Sequence, residues 1–140
     1  MQVELYKWNG VGLELCSPCV SGSTRLITSL AMMSNKYALV GNLQKGIAFV
    51  ELKEDKGIIN LLSRDFGRSD AAAVEFLLED KALAFVQVDY AGHIAVFKYQ
   101  RHENPGYDPP GIRAVPVGRF YLGHKVLPPL PVAMEVSILA

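Results

Sequence analysis

The 140-residue chain carries 14 basic and 14 acidic side chains, so its formal net charge is zero, and half of its residues are apolar. That balance excludes an autonomous electrostatic nucleic-acid binder, which needs a basic surface, and the apolar content excludes a disordered chain. No apolar run reaches the roughly 18 residues of a membrane-spanning helix, and the start of the chain has neither the basic nor the apolar region of a signal peptide, which points to an intracellular protein.

In chain order, the apolar runs are short, rich in β-branched and aromatic residues, and bounded by turn residues. Val3-Glu4-Leu5-Tyr6-Lys7-Trp8 stops at Asn9-Gly10, and Tyr37-Ala38-Leu39-Val40 stops at Gly41-Asn42. Ile47-Ala48-Phe49-Val50-Glu51-Leu52 runs into the charged stretch Lys53-Glu54-Asp55-Lys56, and Ile58-Ile59-Asn60-Leu61-Leu62 follows. Ala82 to Val88 and His93 to Tyr99 flank the turn Asp89-Tyr90-Ala91-Gly92. Such runs read as strands joined by hairpins. The segment from Asp70 to Asp80 is helical on propensity alone, with Asp70 as its N-cap. It is nevertheless assigned as a strand, because of an internal repeat.

Ile94-Ala95-Val96-Phe97 stands 47 residues after the similar Ile47-Ala48-Phe49-Val50, and the same offset lays Asp89 on Asn42 and Leu77 on Leu30. The alanine-rich segment therefore falls opposite the β-like run Leu26 to Leu30. Val3 to Lys7 forms a third, partial copy of Ile94 to Lys98. A period of about 45 residues with four short strands is the signature of β-propeller blades. The expected fold is all-β: about two four-stranded blades with flanking strands. The divisions expected are a partial blade over residues 1–23, blades over 24–69 and 70–123, and the start of another over 124–140. The proline-rich stretch Asn104 to Gly111 reads as a loop, because proline donates no ladder hydrogen bond. Ile112 to Leu122 reads as the last strand of the second blade, with a break near Pro116. Propellers close with roughly four to eight blades. Two blades leave apolar faces open, so the expectation is a piece of a longer polypeptide or a member of an oligomer.

Ala38-Leu39-Val40-Gly41-Asn42-Leu43-Gln44-Lys45-Gly46-Ile47 resembles a recurring stretch of the large multi-propeller scaffolds. That family includes the largest subunit of the cleavage and polyadenylation specificity factor and the large damaged-DNA-binding subunit. Leu62-Ser63-Arg64-Asp65-Phe66 followed by Val74-Glu75-Phe76-Leu77 is similar to its next segment. Asp89 to Tyr99 is similar to the strand after that, and Phe120-Tyr121-Leu122-Gly123-His124 to the opening of the following blade. Asn42 stands where the family has Asp, Gly46 where it usually has Ser, and His93 where it has Asn. Ser63-Arg64-Asp65-Phe66 favours the polyadenylation branch over the damaged-DNA-binding branch. The resemblance implies a non-enzymatic nuclear scaffold that holds protein subunits in pre-mRNA 3′-end processing. RNA contact would be indirect or weak. The adaptor of a cullin ubiquitin ligase is the alternative. The motif residues it marks as structural are Gly41, Asn42, Arg64, Asp65, Phe66, Asp89 and Gly92.

Cys16-Ser17-Pro18-Cys19 is the one motif that looks like chemistry, since its spacing suits a redox dithiol or half of a zinc site. No helix is expected to follow it, and His93, His102 and His124 lack ligand spacing. Two reduced thiols at a blade edge is the preferred reading, with a small thiol or zinc protein as the third alternative. Asp89 is expected to bond local backbone amides in its turn. Arg64 and Asp65 are each expected to meet an adjacent blade. Trp8, Tyr6, Phe49, Phe85 and Phe97 read as core between blades. Lys98-Tyr99-Gln100-Arg101-His102 is the one basic stretch with an interleaved aromatic, and it reads as a solvated strand end. No phosphate loop, nucleophile elbow or dinucleotide fingerprint occurs, so neither catalysis nor a cofactor is expected.

Overall fold

In this computed structural model the described residues are 3–17, 26–65, 67–80, 82–99 and 112–124. Cys19, Phe66, His102, the proline-rich stretch and the residues beyond His124 lie outside them. Within them the chain forms strands and a single 3-10 turn, Glu54–Lys56, and no α-helix.

The first hairpin pairs β1 (Leu5–Trp8) with β2 (Leu13–Ser17) around Asn9, whose side chain accepts the N–H groups of Val11 and Gly12. Then come β3 (Ile27–Met33), β4 (Tyr37–Asn42), β5 (Gly46–Lys53) and β6 (Ile58–Arg64), an antiparallel meander. A second meander contains β7 (Ala71–Glu79), β8 (Ala82–Asp89) and β9 (His93–Lys98). Two further strands complete the order: β10 (Ile112–Arg113) and β11 (Val115–Tyr121), the latter closing the second meander beside β9.

The segment with helical propensity is thus the strand β7. Its side chains explain why propensity loses: Val74 and Phe76 are buried against the first sheet, and tertiary burial outweighs a few tenths of a kcal/mol per residue. The stretch from Ile112 to Leu122 departs from expectation. It divides at the buried Ala114, and Ile112–Arg113 pair in parallel with Ser63 and Arg64 of the preceding sheet. The second sheet begins again at Val115, with its register slipping between Pro116 and Gly118, where proline cannot donate to β9. Phe120 and Tyr121 lie in this strand, opposite Ile94 and His93, within the strand expected over Ile112 to Leu122.

The first sheet is covered on both faces, as stacked blades require. On one face Leu39, Ile47 and Phe49 pack with Val74, Phe76, Phe85 and Phe97 of the second sheet. On the other, Ala38, Val40, Val50 and Ile59 receive Val3 and Leu5 from the hairpin. The edge strands β3 and β7 are also tied by hydrogen bonds. The Thr28 hydroxyl donates to the carbonyl of Ala71, and the N–H of Val74 donates to the Ser29 hydroxyl at 3.2 Å. Both strands carry a register slip there, which frees backbone groups to reach the neighbouring sheet.

Phe49, Phe85 and Phe97 are core, but Tyr6 and Trp8 are not: Trp8 is 62% exposed. The two-stranded hairpin buries Val3 and Leu5 on the first sheet and ties to it through the Lys7–Glu54 ion pair at 3.0 Å, whereas Tyr6 turns its hydroxyl to Glu4 at 2.7 Å. The hairpin also leaves Leu30 and Met32 of β3 about half exposed, at 54% and 52%.

Candidate binding groove between the sheets

The turns β4–β5 and β8–β9 are equivalent in the repeat and three residues long, yet they are built differently. In the second sheet Asp89 organises its own turn. One carboxylate oxygen accepts the N–H groups of Ala91 and His93, each at 2.9 Å. The other lies 2.9 Å from His93 Nδ1 and 3.4 Å from the Arg119 guanidinium. Gly92 completes the turn, its carbonyl accepting the N–H of Leu122 at 2.9 Å.

Burial works against ionising Asp89, but the backbone and ring hydrogen bonds of His93 and the N–H of Ala91 outweigh it, holding the carboxyl below its ordinary value of 3.8. A carboxyl depressed in this way adds stability that is complete above its ordinary value and disappears as pH falls through the folded value. Asp89→Asn is therefore expected to cost about 2 kcal/mol at neutral pH, through lost charge-assisted bonds. The difference from the parent should shrink as the pH drops below 3.8, the ordinary carboxyl value. Denaturant midpoints measured from neutral to acid pH check this, and a difference that stays constant would show that the charge contributes nothing.

In the first sheet the equivalent residue is Asn42, 2% exposed, whose amide nitrogen reaches only the carbonyl of Val40 at 3.5 Å and whose oxygen has no partner. Here the turn is held from outside. The N–H of Gln44 donates to Asp70 at 2.8 Å, that of Gly46 to the Ser69 carbonyl at 2.9 Å, and that of Leu43 to the Leu26 carbonyl at 2.8 Å. Asp65 shapes the connection that supplies two of these acceptors. Its carboxylate accepts the N–H of Gly67 at 2.8 Å and the Ser69 hydroxyl at 3.3 Å, and Ser69 also reaches the buried Gln87 of β8 at 3.4 Å. The contact to the neighbouring sheet expected of Asp65 is made by Ser69, while the Asp65 carboxylate is taken up by the Gly67 N–H and the Ser69 hydroxyl.

Between the two turns and this connection lies an open groove of about 1020 Å³. Gln44 and Lys45 line it from the first sheet, Arg68 and Asp70 from the connection, and Tyr90, His93 and Arg119 from the second sheet. Of the described motif residues, only Asp89 lines it. Gly41 is buried in β4, where a side chain would meet Val74 of the second sheet at 3.0 Å. Arg64 pairs with Ala48 and with Arg113, and its carbonyl accepts the N–H of Ala114 at 3.0 Å. Cys16 is a free thiol in β2, not at a helix N-terminus. Among the described residues, no three His, Cys, Asp or Glu side chains converge as a metal site. Tyr99, read as part of a solvated strand end, instead packs its ring 5.1 Å from that of Phe49. Lys45, Arg68 and Arg119 were legible only as scattered cations. Their convergence depends on the stacking of two sheets.

This sheet arrangement can be set beside known proteins. The family model described as the CPSF A subunit region matches residues 2–134. The chain belongs to that family. A protein named probable cleavage and polyadenylation specificity factor subunit 1 from Oryza sativa subsp. japonica is 32% identical over 98 residues, 70% of this chain and 7% of that protein. Cleavage and polyadenylation specificity factor subunit 1 of Arabidopsis thaliana is 31% identical over 125 residues, 89% of this chain and 8% of that protein. DNA damage-binding protein 1 of Solanum lycopersicum is 24% identical over 129 residues, covering 89% of the chain and 11% of the relative. The chain thus spans 7% to 11% of the length of these curated relatives.

Proposed function

We infer that this chain is a non-catalytic scaffold, a set of stacked propeller blades that positions protein subunits in nuclear pre-mRNA 3′-end processing. The observation carrying this reading is the match to the family at 31% to 32% identity with two polyadenylation-factor subunits, against 24% for the damage-binding relative. The fold agrees with it. Each sheet is too thin to have its own core, and the first is covered on both faces by its neighbours. Leu30 and Met32 on β3, and Leu77 and Phe120 on the second sheet, are exposed apolar residues that further blades would cover. Those blades would come from a longer chain or from partner chains. RNA recognition would then fall mainly to associated subunits.

Affinity purification of the tagged chain from nuclear extract, followed by mass spectrometry, tests the reading. Cleavage and polyadenylation subunits are the expected co-purifying proteins. A cullin with its ligase components would place the chain in the damage-binding branch instead. RNA cleavage by the purified chain, lost on mutation within it, would overturn the non-catalytic assignment.

A further inference from the structure

The groove between the turns has a charge pattern that a purely structural seam does not need. Lys45, Arg68 and Arg119 bring three cations to it, against the carboxylates of Asp70 and Asp89. The two carboxylates are already engaged. Asp70 accepts the N–H of Gln44, and Asp89 takes two backbone N–H groups, the His93 ring and, at 3.4 Å, Arg119. Lys45 and Arg68, by contrast, have no ion pair among the described residues, and both are exposed. The groove is therefore net positive in a chain whose formal charge is zero.

The way the cations are supplied narrows the ligand. They come from three separate segments around a groove of about 1020 Å³, far more space than one phosphate fills. A run of negative groups fits it better than a single phosphate does. Single-stranded RNA would also supply a row of charges, but its binding sites combine the cationic groove with several aromatic rings on which bases stack. Tyr90 is the one Phe, Tyr or Trp among the residues lining this groove, and the His93 ring beside it is already engaged by Asp89 and by the ring of Tyr121.

We propose that the groove docks an acidic segment of a partner polypeptide, with Lys45, Arg68 and Arg119 pairing its carboxylates and Tyr90 closing one side. This rests on the scaffold reading only in taking the partner to be a protein. The full chain is titrated with a fluorescein-labelled hexaglutamate peptide and followed by anisotropy at low and at physiological salt. Saturable binding that weakens with salt is expected, because exposed charges are screened. The double variant Lys45→Glu/Arg68→Glu should weaken binding at least about tenfold, since two charge pairs are lost and the reversed charges repel the peptide. The neutral pair Lys45→Gln/Arg68→Gln should fall between, and Lys53→Glu, outside the groove, should bind as the parent does. Circular dichroism and thermal midpoints confirm that the variants fold. Absence of saturable binding, a double variant that binds as the parent, or tighter binding of a labelled hexauridylate would each overturn the proposal. Co-purification of subunits is read separately, so a chain that captures its complex but ignores hexaglutamate loses only this site.

Discussion

Phe49→Ala is expected to lower the unfolding free energy by about 4 kcal/mol, the range for truncating a buried phenylalanine. The ring is 2% exposed and belongs to the first sheet, but three of its four ring neighbours are elsewhere. Phe76 meets it edge-on at 5.9 Å, Phe85 lies at 4.9 Å and Tyr99 at 5.1 Å, all from the second meander or its exit, while Tyr37 of its own sheet lies at 5.7 Å. The loss therefore measures how strongly the sheets adhere. Phe49→Leu, which keeps most of the volume, should cost distinctly less. A double-mutant cycle between Phe49 and Phe76 should return a coupling of about 1 kcal/mol, the value for an edge-to-face pair beyond its buried area. Denaturant unfolding with an unchanged slope is the measurement. A loss under about 1 kcal/mol for Phe49→Ala would mean that the sheets do not meet through this ring.

The same residues show how much the sequence could reveal. The 47-residue offset that lays Phe97 near Phe49 marks the repeat, and it assigns β7 as a strand where helix propensity alone fails. What the offset cannot show is which copy's neighbour a residue touches. Trp8 has the type and pattern of a core residue, but its exposure is decided by the width of the hairpin carrying it. Ile112 and Arg113 read as a continuation of β11, yet their pairing partners lie in the preceding sheet, 49 residues back at Ser63 and Arg64. A periodic pattern registers strands along the chain and says nothing of an edge strand borrowed between sheets. The groove is hidden for the same reason. Its cations are 23 or more residues apart and carry no spacing signal, whereas Asp89, which shapes one wall, is legible through its turn motif.

Gly46→Ser is expected to be the second most damaging change, although serine is the residue that the resemblance puts at this position. Gly46 has φ +63, a left-handed conformation costing a side-chain residue about 1–2 kcal/mol. A Cβ there would also stand 2.7 Å from the Ser69 hydroxyl, 2.8 Å from an Asp65 carboxylate oxygen and 3.3 Å from the Asp65 Cβ. Relieving that crowding turns aside the Ser69 hydroxyl and the Asp65 carboxylate, at the expense of their bonds to each other and to the Gly67 N–H, adding about 1–3 kcal/mol. The total expected is about 2–5 kcal/mol. Gly10→Ala is the matched control. Its φ is +94 but nothing lies within 4 Å of a Cβ, so only the backbone cost should appear. The contrast follows from Asn42. Unlike Asn9 and Asp89, Asn42 turns its side-chain oxygen to none of the N–H groups of its turn, and Ser69 and Asp70 hold two of them instead. Glycine is what lets the connection come so near. Equal losses for Gly46→Ser and Gly10→Ala in denaturant unfolding would mean that the connection yields freely, and that the outside hold on this turn is weaker than its hydrogen bonds indicate.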